Sequence, residues 1–78
     1  MAFYRVTRTD AVGDNEFSEA VVRASGRLQA RRAITAALGA EGDQPFPGVD
    51  PAGANLRVAR IADGKGDGPE ALVVAYAG

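Results

Sequence analysis

The chain has 78 residues, a formal net charge of −1 and neither cysteine nor histidine. A chain of this size forms one small domain, and the missing residue types exclude a disulfide framework, a structural zinc site and the usual nucleophile–base pairs of catalysis. Because 46% of the residues are hydrophobic, the composition is that of a globular protein and not of a disordered one.

The first two predicted elements are strands. Residues 3–9, FYRVTRT, alternate aromatic or β-branched side chains with polar ones, which is typical of a half-buried strand. Residues 17–24, FSEAVVRA, are predicted to be the return strand. The connection between them contains Gly13, Asp14 and Asn15, which tolerate turn dihedrals.

A single helix is predicted over residues 25–39, SGRLQARRAITAALG. Ser25 is a suitable N-cap because its hydroxyl can accept a hydrogen bond from the unpaired N–H groups of the first turn, and Gly39 suits a left-handed residue at the end. The apolar arc of the helix is mostly alanine, so the helix can approach a sheet closely while it buries little area. Leu28 lies off this arc, and one interpretation is that it covers an edge of the sheet.

Residues 39–55, GAEGDQPFPGVDPAGAN, form a long loop rich in glycine and proline. Loops of this length are uncommon in compact domains unless they are functional or disordered. In one interpretation Phe46 and Val49, which lie among the prolines, are presented to a partner on a pre-extended segment. In the other, Phe46 folds back as a lid over the alanine-rich helix, with the glycine-rich ends of the loop as hinges. We favour the lid, because a domain with few large apolar side chains needs this bulk.

Two further strands are predicted towards the end of the chain: residues 55–62, NLRVARIA, and residues 70–77, EALVVAYA. The second has apolar residues on both faces, as a central strand has. Residues 63–69 between them, DGKGDGP, lack positions that a calcium loop, a phosphate-binding loop or a dinucleotide fingerprint requires. We interpret this segment as the turn of a hairpin.

Together the elements predict a single α+β domain over residues 1–78 with the order ββαββ: two hairpins joined by a helix, forming one mostly antiparallel sheet with the helix packed on one face. No membrane span is expected, since the longest apolar run, residues 71–77, is far shorter than the roughly 20 residues that cross a bilayer. Residues 1–5, MAFYR, do not have the pattern of a signal peptide. A cytoplasmic location is therefore expected.

Arginines provide the candidate binding residues in the acid-free segment 21–38. They are Arg23, Arg27, Arg31 and Arg32. Such a basic strip can follow a phosphate backbone, so a small nucleic-acid-binding regulator is the alternative function; otherwise the arginines form a solvated face, or pair with the acids of the first hairpin.

No enzyme activity is expected. The acids of the first hairpin, Asp10, Asp14, Glu16 and Glu19, surround a turn, where solvation is expected to keep their pKa values ordinary. No catalytic, cofactor-binding or metal-binding residue is predicted.

Residues 3–25, FYRVTRTDAVGDNEFSEAVVRAS, the helix LQARRAITAALG and the closing ALVVAYAG resemble small proteins encoded by bacteriophages of mycobacteria and related actinobacteria. The resemblance implies an accessory protein that binds a host protein or belongs to the virion, and it supplies no functional residue. The expected function is thus a non-enzymatic binding protein of the host cytoplasm or the virion. The uncovered sheet face and edge strands are its expected surface, and self-association through an edge is a simpler version of the same idea.

Overall fold

The computed structural model describes the backbone of residues 1–35, 46–64 and 70–77, and the side chains of all of these except 70–73. Its elements, in chain order, are β1 (Ala2–Arg8), β2 (Phe17–Ala24), α1 (Arg27–Thr35), β3 (Leu56–Asp63) and β4 (Glu70–Tyr76). All strand pairs are antiparallel and α1 packs on one face of the sheet. The predicted α+β domain with the order ββαββ is therefore confirmed.

The strand order across the sheet is β3-β1-β2-β4, so the first hairpin is central and each later strand forms an edge. Our prediction of a second hairpin is wrong, because β3 pairs with β1 and β4 pairs with β2. The prediction that residues 70–77 form a central strand is wrong for the same reason. The helix lies over this sheet and contacts all four strands.

The segment 63–69 joins opposite edges of the sheet, so it is not the turn of a hairpin. Of this segment, residues 65–69 lie outside the described residues. Its first residues continue the sheet, since the N–H of Gly64 donates to the carbonyl of Met1 at 3.0 Å.

The core lies between α1 and the sheet face that β1 and β2 turn towards it. Alternation along the strands places every second side chain on this face. The largest fully buried side chains are Phe17, Ile34, Val6 and Val22. Ala30 and Ile34 are the apolar residues that α1 buries, in agreement with the predicted alanine-rich arc. Leu28, by contrast, is 59% exposed and adds little to the core.

The helix begins slightly later than predicted. The carbonyl of Gly26 accepts the first helical hydrogen bond, from the N–H of Ala30 at 3.0 Å, so Gly26 and not Ser25 is the N-cap residue. Ser25 contributes its backbone instead, since its N–H donates to Oε1 of Gln29 at 2.6 Å. This bond to a first-turn side chain, which accepts it, resembles half of a capping box. The predicted end at Gly39 lies outside the described residues.

The described part of the long loop, residues 46–55, folds as successive tight turns. In the first turn the N–H of Val49 donates to the carbonyl of Phe46 at 3.3 Å across a Pro-Gly pair. Gly48 has a φ of 86°, which suits the third position of a type II turn. In the next turn the N–H of Gly53 donates to the carbonyl of Asp50 at 2.8 Å.

Phe46 folds back onto the core, as predicted, and its ring partner is Phe17 of β2; that Phe46 covers the alanine-rich helix stays a prediction. The two rings meet edge to face, with centroids 5.6 Å apart and planes at 72°. Val49 is only 4% exposed and belongs to the core. Val49 is therefore not presented to a partner, whereas Phe46 is half-buried. Of the two proposed hinges, the first end of the loop lies outside the described residues, and the second, at Gly53, forms a tight turn.

In the described part of the chain, no helix is long and apolar enough to cross a membrane.

Candidate functional site on the open sheet face

The sheet face turned away from α1, here called the open face, is covered by no described helix or strand. Its side chains alternate with the core side chains along the strands and are half-buried or exposed. They are Phe3, Arg5, Thr7, Glu19, Val21, Arg23, Arg57, Ala59, Ala62 and Ala75. An antiparallel sheet with one solvated face commonly has this division.

The strand register brings charged side chains from three strands together on the open face. Thr7 is paired with Arg57 of β3 on one side and with Glu19 of β2 on the other. Arg5, two residues before Thr7, is paired with Ala59. Arg5 and Arg57 are therefore diagonal neighbours, a placement in which Cα atoms lie about 7–8 Å apart and long side chains interact.

Arg5 is oriented by an ion pair with Glu19. Its Nη2 and Nε both donate to Oε2 of Glu19, at 2.6 Å and 3.0 Å. Both side chains are substantially exposed, at 58% and 41%, so water screens the pair and it contributes roughly 1 kcal/mol or less. Glu19 thus holds Arg5 in place and partly balances its charge without burying it.

Two depressions flank Arg5. The first, the basic groove, has a volume of about 200 Å³ between β1 and β3 and is lined by Arg5, Thr7, Arg57 and Ala59. The second, the apolar depression, has a volume of about 120 Å³ and is lined by Arg5, Glu19, Ala20, Val21 and Ala75. Among the described residues the guanidinium of Arg57 has no ion pair or hydrogen bond, so its charge faces the basic groove uncompensated.

The predicted strip of four arginines is not a single surface. Arg23 lies on β2, on the open face. Arg27 and Arg32 are exposed on α1, on the other side of the sheet. Arg31, the remaining member, is half-buried and packs against the long loop.

Arg31 has a structural role. A Cβ on Gly53, whose φ is 75°, would meet Cδ of Arg31 at 2.6 Å, which shows how closely the loop crosses this side chain. Nη2 of Arg31 donates to the carbonyl of Leu56 at 3.4 Å, just where β3 begins. Arg31 therefore fastens α1 to the loop before β3, and a nucleic-acid strip along α1 lacks its central member.

A second charged cluster stabilises the end of the central hairpin. The Arg8 side chain is 4% exposed, and its Nε and Nη2 donate to the two carboxylate oxygens of Asp10 at 2.6 Å and 3.0 Å. Its Nη1 donates to the carbonyl of Phe17 at 3.3 Å and lies 3.6 Å from Oε1 of Glu16. These contacts provide hydrogen-bond acceptors and negative charge for the buried guanidinium. Arg8 therefore connects the end of β1 to the start of β2.

The expectation that the hairpin acids keep ordinary pKa values is wrong for Asp10. The hydrogen bonds from Arg8 lower the pKa of the Asp10 carboxyl to about 2, helped by a hydrogen bond from Asn55, and they raise the pKa of Arg8. The acids of the hairpin do pair with arginines, but the partners are Arg5 and Arg8 and not those of the helix segment.

Acid is expected to destabilise the domain through Asp10. Because the folded-state pKa of about 2 lies below the value of about 3.9 of the unfolded chain, the stabilisation is complete above about pH 4 and is lost as the pH falls towards 2. Thermal unfolding midpoints measured across this range should fall more for the wild type than for Asp10→Asn. Equal falls in the unfolding midpoints of the two proteins would contradict the lowered pKa of Asp10.

Sequence reasoning missed Arg5, Thr7 and Arg57. The alternation of each strand already places these three side chains on its polar face. Which of them become neighbours, however, depends on the pairing of β3 with β1. No protein-family model matches the chain, and no curated protein or solved structure shows significant similarity to it.

Proposed function

We propose that the chain is a non-enzymatic binding protein that acts on another protein through the open face of its sheet. The observation that carries this proposal is the pairing of β3 with β1, which assembles the basic groove beside the apolar depression on an uncovered face. A surface with adjacent charged and apolar features has the anatomy of a protein interface.

The mixture of charges favours a protein partner over a nucleic acid. Glu19 lies beside Arg5 with 41% of its side chain exposed, where it would repel a polyanion. A protein surface can present a cation to Glu19 and an anion to Arg57, so both charges find partners. The exposed cations of α1, Arg27 and Arg32, lie on the opposite side of the sheet and cannot extend one phosphate track from the open face.

The open face is a better candidate than the edge formed by β3. The register between β1 and β3 shifts between Phe3 and Tyr4, which leaves Ile61 as an extra residue. Arg60 is exposed on the same strand and forms an ion pair with Asp63. A bulge and charged side chains are the usual means by which an edge strand avoids pairing with another chain, so self-association through this edge is disfavoured.

We infer the origin and setting from the resemblance to proteins of actinobacterial phages. The proposed partner is a host protein in the bacterial cytoplasm or a protein of the virion. This part of the proposal does not depend on the geometry of the open face and can fail separately.

Affinity capture with matched variants tests the proposed surface. Ala59→Trp places a large ring over the basic groove, while Ala52→Trp adds the same ring to an exposed alanine in the loop before β3. A partner captured from an actinobacterial lysate by the wild type and by Ala52→Trp, but at least tenfold less by Ala59→Trp, would support the open face.

Equal capture by the two variants would contradict the proposal. If both variants capture the same proteins as the wild type, the partner binds elsewhere or the captured proteins are non-specific. Backbone amide spectra of each variant establish that the fold is retained before capture is compared.

A further inference from the structure

We propose that the basic groove is the recognition site for a single carboxylate side chain of the partner, an aspartate or glutamate next to an apolar residue. This inference rests on the proposed function and specifies the chemistry of the same site. Three groups define it: the free guanidinium of Arg57, the hydroxyl of Thr7 and the part of Arg5 that Glu19 leaves unoccupied.

Arg57 is the principal donor. A guanidinium presents two parallel N–H groups that match the two oxygens of a carboxylate, and bidentate pairs of this kind are both strong and directional. Within the described residues Arg57 has no competing acceptor, so binding a carboxylate there breaks no existing ion pair. Thr7 is its direct cross-strand neighbour, which places a hydroxyl within the same groove.

Arg5 completes the groove and sets its charge. Nε and Nη2 of Arg5 donate to Glu19, whereas Nη1 has no hydrogen bond among the described residues, and Arg5 lines the groove. Two arginines and one glutamate leave a net charge of about one positive unit here, which matches a carboxylate better than a doubly charged phosphate.

Ala59 keeps the groove open. It lies opposite Arg5 on β3, is exposed, and has no side-chain atoms beyond Cβ with which to fill the space. The apolar depression on the other side of Arg5 is lined mainly by Val21, Ala20 and Ala75 and would receive a small apolar side chain of the same partner segment. An acidic residue beside an apolar one therefore fits both depressions, with Arg5 as the ridge between them.

Peptide titration of the full chain tests this site. The probe is a capped pentapeptide, GVEVG, with GVQVG as its uncharged match, followed through the Nε–Hε signals of the arginines at constant ionic strength. We expect saturable shifts at Arg57 and Arg5 with GVEVG, at least tenfold weaker binding of GVQVG, and no saturation at Arg27 or Arg32.

Two arginine variants distinguish binding in the basic groove from a general effect of the protein's positive charge. Arg57→Gln is expected to weaken GVEVG binding at least tenfold, whereas Arg32→Gln, which removes another exposed arginine from α1, is expected to change it less than twofold. Equal effects of the two variants would overturn the site. So would tighter binding of a phosphoserine peptide or of single-stranded DNA, since each would show that the groove selects phosphate.

The two proposals can fail separately. If Arg57→Gln retains capture of the partner while Ala59→Trp abolishes it, the open face stands and the carboxylate site is wrong. If neither variant affects capture, the open face itself is wrong.

Discussion

Replacing Phe17 with alanine is expected to lower the free energy of unfolding by about 3–5 kcal/mol, the usual cost of removing a large buried ring. Phe17 is completely buried and its ring meets Phe46 edge to face. Its backbone also accepts a hydrogen bond from Arg8 and donates one to the carbonyl of Pro47 at 2.8 Å. The ring thus stands where the sheet, the long loop and the Arg8 cluster meet.

The loss is large relative to the whole stability, because a domain of this size is stable by only about 4–12 kcal/mol. Urea unfolding followed by circular dichroism would measure it. Tyr76→Ala is the control, since this aromatic residue is paired with Phe17 across the sheet but is 49% exposed, and its loss should cost roughly 1 kcal/mol or less. If Phe17→Ala were as mild as the control, Phe17 could not be fully buried in the core.

Gly48→Ala is the second substitution with a large expected effect. Gly48 has a φ of 86°, a conformation that costs an L-residue about 1–2 kcal/mol. A Cβ there would also meet Nη1 of Arg8 at 2.5 Å and the Glu16 carboxylate at 2.7 Å, so the buried cluster must shift. Because both contacts are with the ends of side chains that can move, the positive φ contributes most, and we expect a total loss of about 1–3 kcal/mol.

Gly26→Ala is the matched control. A Cβ at Gly26 meets nothing within 4 Å, and its φ is not positive. Alanine at this position stabilises the fold by reducing the conformational freedom of the unfolded chain, but it destabilises the fold because it is a poorer N-cap than glycine. Since these effects oppose each other, the free energy of unfolding should change by roughly 1 kcal/mol or less. Equal destabilisation by both substitutions would mean that Gly48 is not pressed against the Arg8 cluster.

The local elements were predictable because they depend on neighbouring residues. The alternation of β1 and β2 and the alanine-rich arc of α1 can be read from side-chain spacing alone. The N-cap differs by one residue, and the bond that accompanies this difference, from the N–H of Ser25 to Gln29, depends on the orientation of a side chain. The folding back of Phe46 was predictable because so few other large apolar side chains are available.

The strand order was not predictable from local pattern. Alternation defines the faces of a strand but not its neighbour, and the glycine-rich segment 63–69 is compatible both with a hairpin and with a connection between opposite edges. The candidate site depends on this choice, since Arg57 comes next to Thr7 only when β3 pairs with β1. Arg8 was missed for a related reason: its partners, Asp10, Glu16 and the carbonyl of Phe17, come together only when the hairpin closes.

The most direct test of this account is therefore the nuclear Overhauser pattern between strand backbones. The strand order β3-β1-β2-β4 predicts cross-strand contacts between Arg5 and Ala59 and between Thr7 and Arg57, together with contacts of β4 to β2 such as that between Ala20 and Val74. Backbone contacts between β3 and β4 would instead show a second hairpin. That result would separate Arg57 from Arg5 and Thr7, remove the basic groove, and contradict the proposed binding surface at its foundation.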